Sequence, residues 1–260
     1  MRGLAWAVWP SRMAERARRW EQRYRQQLGI SELAERFVER HGETVLDGPL
    51  RGLTYPRHLV SSIDAPVAKL IGSYEEELHG PLDDQLGRRP STFVDIGAAD
   101  GYYAVGFARL SSQTRVHAFE IAPGARRICL ELARANEVED RLRLHRRATS
   151  RALRRLPLED SFVLSDCEGA EFEIFDDRAV AALRSSHVLI ELHEHRRTRV
   201  ERALAARFGA THSVRIIAAR QRDPRAYEAL RGWRVDDQKL ALAELRPIPG
   251  ASWAYFQPRS

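Results

Sequence analysis

The residues best placed to do chemistry lie in the run Val94-Asp95-Ile96-Gly97-Ala98-Ala99-Asp100-Gly101-Tyr102-Tyr103, where an apolar stretch passes through small residues into a helical pattern. Glycines at 97 and 101 let the backbone turn tightly and approach a bound molecule closely. Asp95, at the end of the apolar stretch, can accept a hydrogen bond from an ammonium group. A dinucleotide loop needs three glycines in the spacing G-x-G-x-x-G, so that pyrophosphate reaches the helix N-terminus. Here Ala99 stands at the second of those positions. Asp95 and Asp100 would repel pyrophosphate while suiting a cationic ligand that carries an amino acid. A sulfonium cofactor therefore fits this loop better than a nicotinamide one.

Further along, Glu120 closes the next apolar stretch about twenty-five residues after Asp95, where an acidic side chain can grip both ribose hydroxyls. Ile121 follows it, and Arg147 and Ala148 stand after the third stretch as further candidates for contact with the same ligand. Two more groups end apolar stretches: Asp166 and Glu168, then Glu191, His193 and His195. A neutral imidazole is available near physiological pH, so His193 is the candidate general base, with Glu191 and Asp166 beside it at the reacting end. The same three side chains could instead offer oxygen and imidazole ligands to a divalent ion, but no resident metal is assigned. Tyr74, Glu75, Tyr102 and Tyr103 are further contact candidates, since aromatic rings could cover the adenine or methionine portions.

The elements that must position these residues are short strands alternating with amphipathic helices, the signature of a parallel sheet with crossover helices. The pattern predicts strands at Thr92–Ile96, Arg115–Glu120, Arg141–Arg147, Ser161–Ser165 and His187–Leu192. Helices are predicted at Tyr102–Leu110, Pro123–Asn136, Phe172–Leu183 and Thr198–Phe208. Ser213–Ala218 and Trp253–Gln257 read as a last pair of strands at one edge, with an irregular polar excursion from Gln221 to Pro249 between them. Upstream, two helices are expected between Ser11 and Gly42, a turn region over Asp47–Pro56, and a helical segment over Ala65–His79 that Gly80-Pro81 interrupts. Residues 1–90 thus read as a helical cap and residues 91–260 as the sheet domain.

The sequence resembles the FkbM family of methyltransferases through Val94 to Tyr103, through Asp166-Cys167-Glu168-Gly169-Ala170-Glu171, and through Ile190-Glu191-Leu192-His193. Gly48-Pro49-Leu50-Arg51-Gly52-Leu53 and Gly72-Ser73-Tyr74-Glu75 resemble segments that precede the cofactor domain in that family. The resemblance spans roughly Gly48 to Phe208. It implies a Rossmann-like α/β class I fold with seven strands, the last antiparallel. It also implies S-adenosylmethionine lying across the carboxyl ends of the strands, and methyl transfer to oxygen. Asp100 and Cys167 depart from the family, which often has Asn and an aliphatic residue there. A small-molecule hydroxyl is the leading acceptor; transfer to nitrogen, a sugar or peptide-derived acceptor, and a cofactor-binding module without turnover are the alternatives.

Bulk properties agree with a globular chain of 260 residues, 43% hydrophobic and 30% charged, long enough to bury a full core. The short apolar run Leu4–Trp9 is stopped by Pro10 and lacks a signal-peptide core, so a cytoplasmic protein without a membrane span is expected. The two cysteines, Cys129 and Cys167, are expected to be reduced and unpaired. The net charge of +6 invites a nucleic-acid partner, but arginines spread along the chain beside Asp and Glu argue against one. The N-terminal helices leave a homodimer open.

Overall fold

The computed structural model of the chain describes residues 28–167, 169–192, 197–244 and 252–259. Its centre is a seven-stranded sheet formed by β1 (Thr92–Ile96), β2 (Arg115–Phe119), β3 (Leu142–His145), β4 (Phe162–Ser165), β5 (His187–Leu192), β6 (His212–Ala218) and β7 (Ser252–Pro258). The strands lie in the order β3-β2-β1-β4-β5-β7-β6. β1 to β5 pair in parallel, and β7 enters antiparallel between β5 and β6. This is the Rossmann-like class I methyltransferase arrangement. Every residue of β1, β4 and β5 is buried, as central parallel strands covered on both faces require.

Alternation along the strands separates two cores. Phe93, Phe162, Leu164, Leu189, Trp253 and Tyr255 face one side, whereas Val94, Ile96, Val163, Val188, Ile190 and Phe256 face the other. On the first side the core is completed by α5 (Tyr102–Leu110), by α6 (Pro123–Ala135) and by residues upstream of the sheet. Those upstream elements are α1 (Ile30–His41), α2 (Arg57–Val60), α3 (Pro66–Ile71) and α4 (His79–Arg88). Leu33, Phe37, Leu59 and Leu70 belong to the same cluster as Phe93 and Phe107, so this segment packs directly onto the sheet. The second side is covered by α7 (Ser150–Leu153), α8 (Glu171–Ile174), α9 (Asp177–Ala182) and α10 (Arg197–Phe208). Leu153, Ile174, Val180 and Phe208 supply its apolar contacts.

Several elements differ from what the sequence pattern predicts, and three of the differences have a local reason. The helical segment predicted over Ala65–His79 ends at Ile71, where Gly72 caps α3 at φ of 89°, and Gly80-Pro81 lies instead in the first turn of α4, where amide hydrogens have no intrahelical acceptor and a proline loses nothing. The predicted helix Phe172–Leu183 is broken in two, because the Asp176 carboxylate caps the second piece by accepting from the Ala179 amide. The polar excursion contains a helix, α11 (Val235–Ala241), and buries Leu230, Trp233, Ala241 and Leu242 in the first core. Its apolar residues follow no single period, which hides them from a pattern search. Cys129 and Cys167 are both free thiols. No helix among the described residues is long and apolar enough to cross a membrane.

Candidate cofactor site

The loop from Gly97 to Gly101 leaves β1 at the carboxyl edge and is pinned to both neighbouring strands. The amides of Gly97 and Ala98 donate to the Phe119 carbonyl at 2.9 and 3.0 Å. The Asp166 amide donates to the Ile96 carbonyl at 2.8 Å. Gly97 has φ of 89°, and a β-carbon there would stand 1.7 Å from the Asp166 carbonyl oxygen. Gly101 caps α5 with φ of 92°, and a β-carbon there would meet the Cys129 sulfur at 2.6 Å. Both positions require glycine twice over, by backbone conformation and by close approach.

Around this loop the structure gathers carboxylates. Glu120 accepts from the Ala99 amide at 3.0 Å and the Ala122 amide at 2.6 Å, which fixes it beside the loop. Arg126 donates to the carbonyls of Glu120 and Ile121, both at 2.8 Å, and so holds the turn after β2. Asp95 is buried on the face of β1 that also carries Phe93, and its Oδ2 has no hydrogen-bond partner among the described residues. Burial pushes its pKa well above the ordinary carboxyl range, and the nearby Asp166, Glu120 and Asp100 push it further. A hydrogen bond from the Ala104 backbone opposes them only in part. The register Ser165↔Ile190 puts Asp166 and Glu191 next to each other, one past the end of β4 and the other near the end of β5.

The two halves of the predicted site fare differently. Asp95, Gly97, Ala98, Gly101, Glu120, Ile121 and Asp166 meet at one edge. Arg147 is exposed and Ala148 buried just beyond β3, whose His145 carbonyl accepts from the Glu120 amide at 3.0 Å. Glu168, His193 and His195 lie outside the described residues. Among the described residues no group of three His, Cys, Asp or Glu side chains could hold a metal ion.

Asp100 is turned away from the role the sequence suggested. Its carboxylate is buried and accepts from the Lys69 ammonium at 2.6 Å and from the Tyr55 hydroxyl at 2.7 Å. Lys69 also donates to Asp64 at 2.6 Å and lies 4.9 Å from the ring centre of Tyr74 and 5.6 Å from that of Tyr102. Burial alone would lower the Lys69 pKa, but Asp100 and Asp64 outweigh it and the net shift is upward. Burial, then Asp100, push the Tyr55 hydroxyl well above its usual range, so it stays a donor. Asp100 thus ties the glycine loop to the upstream segment.

Tyr74, Tyr102 and Tyr103 form an aromatic cluster at the start of α5, with ring centres 5.1 to 6.2 Å apart. Tyr103 donates a hydrogen bond to the buried Glu75 carboxylate, and burial followed by Glu75 raises its pKa well above the ordinary value. The Glu75 amide in turn donates to Glu244 at 3.0 Å. Sequence reasoning missed Lys69, Tyr55 and the nearby buried set of Arg222, Glu77 and Glu244. A signal for the first existed: only two of the 42 basic residues, Lys69 and Lys239, are lysine. A compact ammonium fits between two carboxylates where a planar guanidinium would not.

No protein family and no curated protein matches this sequence. Solved structures with a similar fold include an rRNA methylase from Streptococcus thermophilus, 10% identical with a TM-score of 0.46, covering 71% of this chain and 97% of its own. Another is a precorrin-6y C5,15-methyltransferase from Geobacter metallireducens, 11% identical with a TM-score of 0.44, covering 68% and 86% respectively. At such identities and scores the likeness adds nothing on chemistry to what strand order and site geometry already carry.

Proposed function

We propose that the chain is an S-adenosylmethionine-dependent methyltransferase that methylates a hydroxyl oxygen of a small-molecule acceptor. The FkbM-like residues in the glycine loop, after β4 and at the end of β5 support the family. The observation that carries the cofactor is the buried Asp95 carboxylate, with an oxygen that no described residue satisfies, set among Glu120 and Asp166 beside the glycine loop. Such a collection of negative charge disfavours pyrophosphate and suits a ligand bearing a sulfonium and an ammonium.

The residues present fit that cofactor. Glu120, oriented beside the loop by two backbone amides, is the acceptor for the ribose hydroxyls. Asp95 and Asp166 supply acceptors for the ammonium group, and Ile121 and Ala148 flank the adenine side. Tyr74, Tyr102, Tyr103 and Glu75 border the loop from the upstream segment. When bound, the cofactor supplies an electrophilic methyl group. The protein's task is then to align the acceptor oxygen, to exclude water, and to accept the hydroxyl proton at His193, two residues after Glu191 in the sequence.

Calorimetric titration of the whole chain with S-adenosylmethionine, S-adenosylhomocysteine and NAD tests the central claim. Micromolar binding of the first two, no NAD binding, and a loss of about a hundredfold or more in Glu120→Ala are expected, since two ribose hydrogen bonds to a charged acceptor are worth about 1.5–3 kcal/mol each; the variant should also melt lower, because the Ala99 and Ala122 amides lose their acceptor. Tight NAD binding, or no binding of either sulfur compound, refutes it.

A further inference from the structure

The fifteen residues from Arg141 to Arg155 hold seven arginines and no Asp or Glu. Removing those seven from the chain's 42 basic residues leaves 35 against 36 acidic ones. One short segment therefore accounts for the whole net positive charge, and the rest of the chain is slightly acidic. Arginines that look dispersed when the entire sequence is scanned are locally unbalanced in these fifteen residues, with no acidic residue among them.

The fold turns that segment into a surface. β3 is the outermost strand at one end of the sheet. The register His117↔Arg143 and Phe119↔His145, with strand alternation, places Arg115, His117, Arg143 and His145 on one face. Arg115, Arg143, Arg146, Arg151 and Arg155 are exposed, and among the described residues none of the five makes an ion pair. α7 joins the strands to this surface: its Leu153 packs in the same core as Ala148 and Phe119, and the Phe119 ring stacks on His145 at 4.6 Å. The His117 and His145 rings are themselves stacked and 3.1 Å apart, Nδ1 to Nε2. Burial lowers the pKa of both, to about 4 for His117, and Arg143 lowers both further, with Arg115 and the partner imidazole adding to the effect on His117. No carboxylate is among the groups that shift either ring, which marks a region of uncompensated positive potential.

We propose that this face, built from the β3 edge and α7, binds the phosphate backbone of a nucleic acid. Unpaired guanidiniums at a sheet edge are the groups that neutralise phosphates and release counterions. A lipid surface is the less suitable partner, because interfacial binding needs apolar side chains among the basic ones. The exposed large apolar residues, Leu110, Leu130, Phe172, Val214, Ile216 and Val235, all fall outside the segment. The proposal does not rest on the cofactor assignment.

Fluorescence anisotropy with a labelled single-stranded RNA of about twenty nucleotides, across a salt series, tests it. The comparison is between wild type, the triple variant Arg143→Gln/Arg146→Gln/Arg151→Gln, and a charge-matched control, Arg225→Gln/Arg231→Gln/Arg234→Gln, at exposed positions of the 221–244 segment. The triple variant is expected to bind about tenfold more weakly or worse. Its log–log salt slope should be shallower by about 2, at roughly 0.7 per lost phosphate contact on a single strand. The control should match wild type. Equal weakening in both variants would reduce the effect to net charge and overturn the proposal. So would undetectable RNA binding, or binding to phosphatidylserine vesicles in its place.

Discussion

Replacing Lys69 with methionine removes one cation from between two carboxylates, and the burial of the three groups decides the cost. Lys69 and Asp100 are each 2% exposed, while the Asp64 side chain is 34% exposed. Asp64 can therefore return to water at little cost, as exposed partners of ion pairs usually do. Asp100 cannot; it keeps only the Tyr55 hydroxyl. Breaking a buried pair from one side costs about 3–5 kcal/mol, because the remaining charge is left uncompensated. Lys69→Met should lose that much in urea unfolding at neutral pH. The second substitution Asp100→Asn, which removes the stranded charge and still offers Tyr55 an acceptor, should restore all but about 1–2 kcal/mol.

The pH dependence has a definite sign. Lys69 has a raised pKa in the folded protein, so its contribution is fully present below the ordinary lysine value and is lost only as pH rises through the folded one. The gap between wild type and Lys69→Met should therefore stay constant from pH 7 to about 10 and narrow above that. A loss below about 1 kcal/mol in the single variant, or a double variant no more stable than the single, would show that Asp100 is not held by this pair.

Three further substitutions have outcomes set by the same geometry. Asp95→Asn should stabilise the ligand-free protein at neutral pH by about 1–3 kcal/mol, the usual cost of a buried unsatisfied group, while weakening S-adenosylmethionine binding in calorimetry. Since the folded carboxyl pKa is raised, the wild-type penalty grows as pH rises from the unfolded value through the folded one, and the variants should converge below pH 4. Gly97→Ala places a methyl group 1.7 Å from a backbone oxygen at positive φ, so a loss of about 3 kcal/mol or more is expected in thermal or urea unfolding, together with loss of cofactor binding. Arg222→Met leaves the Glu77 side chain, 1% exposed, without the cation 2.7 Å away, and should cost about 3–5 kcal/mol by the same assay.

Much of the sheet could be read from sequence because its signals are local. β1, α5 and β5 have the predicted bounds, and the other strands shift by a residue or two at frayed ends such as Glu120 and Arg141, where the ladder stops before the apolar pattern does. The glycine loop was legible for the same reason: its strand, turn and helix are contiguous. What could not be read are partnerships fixed by tertiary packing. Lys69 meets Asp100 across 31 residues, Tyr55 meets Asp100 across 45, and Arg222 meets Glu77 across 145. Nothing in the period or composition near Asp100 says that its charge is already matched, so it was assigned to the ligand. The arginine segment misled in the opposite direction, because averaging charge over 260 residues conceals a local excess in fifteen.

These long-range pairs bear on whether the upstream segment could open over the sheet edge under the proposed function. A cap that opened as one body over the sheet edge would have to separate Lys69 from Asp100, Glu75 from Tyr103, and Ser73 and Glu77 from Arg222. It would also strip Phe37, Leu50 and Leu70 from the apolar cluster they share with Phe93 and Phe107. At about 1.5–3 kcal/mol for each large apolar side chain exposed, and several more for each buried charge separated, such a motion would cost more than a typical domain's entire stability. Residues 28–90 are therefore a fixed part of the fold beside the proposed cofactor site. Their contacts with α5, and the Lys69–Asp100 pair, hold the glycine loop in place.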